Sequence, residues 1–446
     1  MHIVHYSLGF PPYRRGGMTE YCIDLALQQV KENKVYLLWP GQINSYKKDV
    51  IIRRHSSFKK INSFELINPL PVPLVNGIGL NGIEYYSSPK SETVFINFFK
   101  KYDIQVFHVH TLMGLPIEAL QAAKKSKIKI IYTTHDYYGV GPTNFIVPKQ
   151  LSWNYNYWVQ SGLTSYSLKK IKFLQSPLYR LIKSMYIVKY LKKFKKSVDT
   201  SEDFKIEDNY PVEVLKKYKN LHQYYLKSFQ YIDFFHFNST VSEKIFKFYL
   251  GNKINGKVIS ITNKWISNNK KLRSYNTSSL NIGYFGPIDK VKGFYFLNDI
   301  LKDLKNKYKF KLIIHVNENI NEDYIVNEGR YNIENLNKVL ENIDIMIVPS
   351  QWFETFGFTT LEAMSYGIPV IVSNLVGSKD LVHNGKDGYI FKNARELRKQ
   401  LISVLNNKEF LLKRLNRYIV KNDEIKTIEQ HDIEMEALYK KLILES

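Results

Sequence analysis

The chain reads as an α/β protein built from two Rossmann-like domains, each a parallel sheet with helices on both faces. Short apolar strands alternate with amphipathic helices along most of its length, the pattern of parallel sheets joined by crossover helices. The alternation breaks off in the middle of the sequence and starts again near Leu280. A chain of 446 residues is also longer than one core usually organises.

Ile3 to Tyr6 is the first predicted strand, followed by a Pro/Gly loop from Pro11 to Gly17 and a helix over Thr19 to Lys31. Val35 to Trp39 is the second strand. Gln105 to His110 and Ile128 to Thr134 are central strands, and Phe234 to Asn238 and Lys257 to Ile261 are the last of this sheet. The second pattern has strands at Leu280 to Phe285, Phe310 to Val316, Asp344 to Pro349, Pro369 to Ser373 and Tyr389 to Phe391. Helices are predicted over Val291 to Lys305 and Thr359 to Tyr366, the latter stopped by Gly367. The expected division is 1–264, with a basic insertion at about 145–230, then 265–415, then a helical tail over 416–446 that packs back toward the first domain. Polar Ser267 to Ser279 is the expected linker.

Lys and Arg number 64 against 41 Asp and Glu, a net charge of +23, which predicts an anionic partner. The single cysteine, Cys22, excludes an intrachain disulfide and suits a reducing compartment. It lies among apolar residues on the first helix and reads as core, not nucleophile. The start of the chain does not read as a signal peptide, and no apolar run approaches the roughly 20 residues a spanning helix needs. From Tyr137 to Val198 there is no Asp or Glu, while Lys149, Lys169, Lys170, Lys172, Arg180, Lys183, Lys189, Lys192, Lys193, Lys195 and Lys196 fall in the same window. Ser176-Pro177 is a good helix start, with Leu178, Leu181, Ile182 and Met185 at helical spacing after it and Tyr186, Tyr190 and Phe194 nearby. A basic, aromatic-bearing amphipathic helix suits an anionic lipid surface. The simpler alternative is a helix packed on the first domain with its lysines in water.

The segment with most chemical content runs from Pro349 to Val370, Pro-Ser-Gln-Trp-Phe-Glu-Thr-Phe-Gly-Phe-Thr-Thr-Leu-Glu-Ala-Met-Ser-Tyr-Gly-Ile-Pro-Val. It opens at the C-terminal end of a strand, where parallel sheets place ligands. Gly357 lets backbone approach a ligand, and the free N–H groups of the helix that follows suit a diphosphate. Glu354 and Glu362 flanking an anion site make sense when sugar and ribose hydroxyls are bound as well.

With Glu354, seven residues, then Glu362, this segment resembles the retaining glycosyltransferases of the GT-B fold, glycosyltransferase family 4 (group 1). Gly286 to Gly293, with Lys292, is similar to that family's Gly-Arg-Leu…Lys-Gly loop. Val376-Gly377…Asp380…Asn384-Gly385…Gly388 is similar to its Gly-Gly…Glu…Asn-Gly…Gly segment. Gly16-Gly17 resembles its N-terminal Gly-Gly loop, and Thr134-His135-Asp136 its Thr-His-Asp. The resemblance implies a donor site in the cleft between two facing domains. Glu354 would bind hydroxyls of the transferred sugar and Glu362 the ribose. Phe356, Gly357, Phe358 and Thr359 would serve the diphosphate, with Gly286 and Lys292 beside it. Gly16 and Gly17 would approach the phosphate, and His135 would touch the sugar near the reacting carbon. The chain departs from the family at Pro287, where an Arg is usual, and Lys264, Lys290, Arg14 or Arg15 could compensate. Asp380 is a shorter acid than the family's.

The implied partners are a nucleoside-diphosphate sugar, a glycan or polyprenyl-diphosphate-linked acceptor, and an anionic membrane surface met through 165–196, with no nucleic acid. No cofactor or metal is expected, since the family does not usually need a metal and no Asp-x-Asp signature occurs. The expected role is hexose transfer in bacterial surface-polysaccharide assembly, in the cytoplasm at the inner face of the membrane. A protein acceptor, or a sugar-nucleotide epimerase on the same scaffold, is the alternative. His108 and His110 share one face of a strand, where one could line the cleft or both could be core. Trp153 to Trp158 reads more readily as loop packing than as an acceptor platform.

Overall fold

The structure is a computed structural model that describes residues 1–11, 14, 16–44, 49–73, 77–151, 155–184, 210–276, 278–422 and 425–445. The chain forms two compact units. The first comprises Met1–Asn238, Glu243–Ile259 and Glu429–Ser446; the second comprises Ser239–Ser242 and Ser260–Ile428.

The first unit holds strands β1 (His2–Tyr6), β2 (Lys34–Pro40), β3 (Ile51–Phe58), β4 (Ile61–Ile67), β5 (Val106–Val109), β6 (Lys129–Thr133), β7 (Phe234–Phe237) and β8 (Gly256–Val258). They form one sheet in the order β3-β4-β2-β1-β5-β6-β7-β8. All neighbours are parallel except β3 and β4, an antiparallel pair at one edge. Helices α1 (Gly17–Gln29), α2 (Glu92–Lys101) and α3 (Ile117–Lys125) connect the early strands. The insertion region contributes α4 (Tyr155–Leu163), α5 (Leu168–Leu174), α6 (Pro177–Ser184) and α7 (Val212–Phe229), and α8 (Thr240–Leu250) follows β7. The predicted start of α6 is found as expected, with Ser176 Oγ accepting from Tyr179 N at 3.1 Å. Met185, Tyr186, Tyr190, Phe194 and the lysines from Lys189 to Lys196 lie outside the described residues, as do Arg15 and Trp153.

The second unit holds β9 (Leu280–Tyr284), β10 (Phe310–Ile314), β11 (Ile325–Asn327), β12 (Ile345–Val348), β13 (Val370–Ser373) and β14 (Gly388–Phe391), all parallel, in the order β11-β10-β9-β12-β13-β14. Helices α9 (Phe294–Leu304), α10 (Leu336–Glu341), α11 (Phe358–Ser365), α12 (Ala394–Asn406) and α13 (Lys408–Lys421) cover it. Alternate residues of each strand face opposite sides, and both sides are buried. Leu312, Ile314, Ile345 and Ile347 pack with Leu297, Leu301, Leu397 and Leu401 on one face. Ile313, Met346, Val348 and Val370 pack with Leu336, Leu340, Ala363 and Met364 on the other.

Two boundaries differ from the sequence expectation. The stretch Ser267 to Ser279 is part of the second unit and is no linker. Arg273 donates from its backbone to Asn416 Oδ1 at 3.0 Å and from its guanidinium to the Leu340 carbonyl, and Tyr275 is fully buried. The other described residues of the stretch are exposed or half-buried, so its polar composition marks a surface segment held to the second unit by Arg273 and Tyr275. The tail, expected as one piece over 416–446, is divided. Residues 416–428 belong to the second unit and Glu429–Ser446, nearly all of helix α14 (Ile428–Leu444), to the first.

Candidate active site

In the second unit the loop after β12 is fixed by its backbone before any ligand is considered. Glu354 N donates to the Leu375 carbonyl at 2.9 Å, Gly377 N to the Glu354 carbonyl at 2.9 Å, and Ser378 N to the Phe356 carbonyl at 2.7 Å. Gln351 N donates to the Val291 carbonyl at 2.8 Å, which ties the same loop to the Gly286–Gly293 loop. Two glycines make this possible. Gly357 has φ +90°, and a Cβ there would meet Val376 at 2.9 Å; Gly293 has φ +78°, and a Cβ there would lie 2.0 Å from the Pro349 carbonyl oxygen.

The two loops bring Lys292 and Glu354 together. Lys292 Nζ donates to Glu354 Oε1 at 2.5 Å, and Ser350 Oγ donates to the other oxygen at 2.7 Å. The ammonium also lies 5.2 Å from the centre of the Trp352 ring. These charges line a pocket with Tyr284, Gly286, Gly357 and Thr359, at the N-terminus of α11. A cation, open helix N–H groups and a carboxylate thus meet at the carboxyl end of a parallel sheet, a site able to hold a diphosphate and a hydroxyl-bearing group together.

Of the residues singled out from the sequence, Gly286, Lys292, Glu354, Gly357 and Thr359 line this pocket. Phe356 does not: its side chain is 2% exposed and packs on Phe358 at 5.3 Å between ring centres, so only its backbone could serve a ligand. Glu362 is half-buried on α11. Burial first, and the Glu362 charge after it, raise the phenols of Tyr331 and Tyr366. Tyr331 packs tilted against Phe285 and edge-on to His315, at 5.5 and 5.0 Å between centres, and Phe285 is a wall of the pocket. Sequence reasoning missed Ser350, Phe285 and Tyr331; only Ser350, four residues before Glu354, stands in the segment that drew attention. Asp380 accepts from Thr240 N and Thr240 Oγ1 at 2.6 Å each, at the start of α8, and from Lys379 at 2.9 Å. No side chain of Pro287 contributes charge; its carbonyl accepts from the Tyr284 hydroxyl at 2.6 Å.

In the first unit Gly16, with φ +134°, precedes α1 and Gly17 begins it; both are exposed. His135 lies just past β6, half-buried, with Nε2 3.2 Å from His110 Nδ1. Burial pushes its imidazole down to about 3 and the neighbouring Asp136 carboxyl up to about 7. His108 and His110 are fully buried and hydrogen-bonded. Cys22 is core, its thiol pushed up to about 12 by burial. Trp158 is buried against His222 at 4.7 Å between centres, the packing role expected of that cluster.

Residues 268–423 match the family model described as glycosyl transferases group 1. Among curated proteins the chain is 31% identical over 125 residues to an uncharacterized 41.2 kDa protein in the cps region of Klebsiella pneumoniae, covering 26% of this chain and 35% of that one. It is 30% identical over 140 residues to the capsular polysaccharide biosynthesis glycosyltransferase CapM of Staphylococcus aureus, covering 28% and 37%. The chain spans about half or less of the length of the curated relatives it matches. Similar solved structures include sucrose-phosphate synthase from Thermosynechococcus elongatus, with TM-score 0.60 and 15% identity over 100% of this chain and 99% of that one. Anabaena HepE, in complex with UDP and glucose, has TM-score 0.55 and 13% identity over 99% of each chain. These likenesses join the two sheets to the GT-B fold, and residues 268–423 are similar to the group 1 glycosyltransferases.

Proposed function

We propose that the chain transfers a hexose-type sugar from a nucleoside-diphosphate sugar to a glycan or lipid-linked acceptor in surface-polysaccharide assembly. The observation that carries this reading is the Lys292–Glu354 pair at the start of α11. The leaving group is a nucleoside diphosphate, and the charge that grows on it needs fixed donors and a cation. Lys292 and the N–H groups at Gly357, Phe358 and Thr359 supply them. Glu354 is the acceptor for hydroxyls of the transferred sugar. Glu362, beside Tyr331, serves the ribose. Gly16, Gly17 and His135 keep the donor-binding role that the family resemblance implies for them.

Transfer with retention follows from attack on the face the leaving group departs from. The bond from the anomeric carbon to the phosphate oxygen breaks, the bond to the acceptor oxygen forms, and the acceptor proton passes to the departing phosphate. No separate carboxylate base is required, and no metal is called for by these residues. The capsular setting is drawn from the names of the relatives in Klebsiella and Staphylococcus.

No helix among the described residues is long and apolar enough to cross a membrane. A peripheral site on anionic lipid, at the inner face of the cell membrane, is supported by α6. Its Arg180 turns inward to buried Glu65 at 2.8 Å, while Leu178 and Leu181 are 58% and 59% exposed. Exposed Lys169 and Lys170 lie on α5 just before it.

The test is thermal stabilisation by a panel of nucleotide sugars, followed by release of nucleoside diphosphate with and without a lipid-linked glycan. Stabilisation by one nucleotide sugar and release that requires acceptor are expected. Acceptor-independent conversion of the donor to an epimer would replace the transferase reading.

A further inference from the structure

Three successive carbonyls of the loop after β12 each meet a donor. The Glu354 carbonyl accepts from Gly377 N at 2.9 Å and the Phe356 carbonyl from Ser378 N at 2.7 Å, both donors standing after β13. The carbonyl between them, that of Thr355, accepts from the Ser239 hydroxyl at 2.6 Å. Ser239 stands 116 positions earlier in the chain. Residues Ser239–Ser242 nevertheless belong to the second unit, while the rest of α8 belongs to the first.

The direction of this bond follows from its neighbours. Ser242 N can only donate, and it donates to Ser239 Oγ at 3.1 Å; the Thr355 carbonyl can only accept. Ser239 is therefore the N-cap of α8, and its one hydroxyl proton goes to Thr355. The bond is enclosed. Ser239 is fully buried, and a Cβ on Gly377 would lie 2.2 Å from the Thr355 carbonyl oxygen and 2.4 Å from Ser239 Oγ.

Asp380 anchors the turn that carries Ser239. Its Oδ2 accepts from Thr240 N and its Oδ1 from Thr240 Oγ1, at 2.6 Å each. Lys379 Nζ donates to Asp380 Oδ1 at 2.9 Å and to Thr240 Oγ1 at 3.0 Å. Hydrogen bonds to an ionised acceptor are strong, and a carboxylate suits the start of a helix. Both oxygens of Asp380 are thus engaged by protein groups.

We propose that Ser239, Thr240 and Asp380 are positioning residues for Glu354: Asp380 fixes the first turn of α8, and Ser239 on that turn pins the Thr355 carbonyl and so sets where the Glu354 carboxylate stands. The sugar contact rests on the donor role proposed for Glu354; the pinning of the loop does not. Losing the pin shifts the carboxylate but leaves the N–H groups of Phe358 and Thr359, which belong to α11, in place. Affinity for the sugar should therefore fall while affinity for the diphosphate holds.

The experiment compares Ser239→Ala with Ser242→Ala in the full chain. Ser242→Ala removes a hydroxyl from the same turn but keeps the Ser239–Thr355 bond, so it controls for fraying of α8. Amide hydrogen exchange comes first and needs no ligand. In Ser239→Ala the amides of Gly377 and Ser378 are expected to exchange roughly fivefold faster or more, with that of Met346 in β12 unchanged. Exchange at the wild-type rate, or equal acceleration in Ser242→Ala, overturns the pinning. Affinity is then measured for the nucleotide sugar that stabilises the wild type and for its free nucleoside diphosphate. In Ser239→Ala the Kd of the nucleotide sugar is expected to rise about 3- to 10-fold and that of the nucleoside diphosphate by less than about twofold. Equal weakening of both overturns the link to Glu354. Thr240→Val, which keeps the volume and loses the hydroxyl, should act in the same direction and more weakly; wild-type behaviour there removes Thr240 and Asp380 from the proposal. If Ser239→Ala does not fold, Thr240→Val, at an exposed position, decides. Should no nucleotide sugar stabilise the wild type, the transferase reading fails and the exchange result still decides the pinning.

Discussion

Lys292 Nζ lies 2.5 Å from Glu354 Oε1, a cation and an anion from two loops held in contact beside the first turn of α11. The lysine side chain is 32% exposed and the glutamate 13%, so the pair contributes on the order of 1 kcal/mol or less to stability. Its value is to present both charges to a ligand already in place. Lys292→Ala and Glu354→Ala are each expected to lower transfer by roughly 100-fold or more. Melting temperatures should stay close to wild type. Turnover at the wild-type rate in either variant would refute the site.

Ser350 tests how the carboxylate is aimed. Its hydroxyl donates to Glu354 Oε2 at 2.7 Å, and hydrogen bonds to charged groups contribute about 1.5–3 kcal/mol. Ser350→Ala should reduce kcat/KM by about tenfold or more, with the wild-type fold retained by circular dichroism. An unchanged kcat/KM would leave Glu354 positioned by backbone alone.

Gly293 tests the backbone frame. A methyl group there would lie 2.0 Å from the Pro349 carbonyl oxygen, at a positive φ that side chains disfavour. Gly293→Ala is expected to cost about 2–4 kcal/mol in denaturant unfolding and to weaken donor binding with it. A change below about 0.5 kcal/mol would mean that the two loops approach less closely than described.

The buried imidazoles make the first unit sensitive to acid. Burial pushes His5 and His222 down to about 4 and His135 to about 3, and holds His108 and His110 well below the ordinary histidine value. A lowered base binds fewer protons folded than unfolded. Its contribution is therefore intact above about pH 6.5 and is lost as the pH falls below that value toward the folded pKa. Asp136 and Asp432, raised by burial to about 7 and about 6, have the opposite sign and gain stability on acidification. Five groups oppose two, so unfolding free energy should fall between pH 6.5 and 4. His5→Gln should reduce the steepness of that fall; an equal slope in the variant would exclude His5 from the effect.

The apolar face of α6 gives a prediction for membranes. Leu178 and Leu181 are exposed, and exposed positions rarely change stability by more than about 0.5 kcal/mol. The double substitution L178S/L181S should leave unfolding unchanged and reduce co-sedimentation with phosphatidylglycerol vesicles. Undiminished binding would remove this helix from the lipid-facing surface.

The strands of the second unit other than β11 were legible because most are buried on both faces and read as apolar runs such as Ile345-Met-Ile-Val348, whereas the short edge strand Ile325-Val-Asn327 is half-buried to exposed and was missed. The Gly/Glu segment was legible because its roles demand fixed residue types. The antiparallel β3–β4 edge was not: Ile51-Ile-Arg-Arg-His-Ser-Ser-Phe58 carries too few apolar residues to show a strand, and its pairing supplies what the pattern lacks. Tyr331 and Phe285 lie 46 residues apart in sequence and meet only through the fold, as do Arg180 and Glu65. The hydrogen-bonded histidines of the first unit were equally hidden. His5, His110 and His135 stand on separate strands or the loops after them, and their spacing carries no local signature.

Tyr439, whose hydroxyl reaches His108, sits near the end of the chain, although the sheet it joins begins at His2. During synthesis that sheet must wait for residues more than 300 positions downstream before its inner layer of imidazoles is covered. The second unit, contiguous apart from Ser239–Ser242, can close sooner. The domain translated first is thus finished last, and a fragment ending at Ile259 would emerge with its histidine layer uncovered by the helix that holds Tyr439.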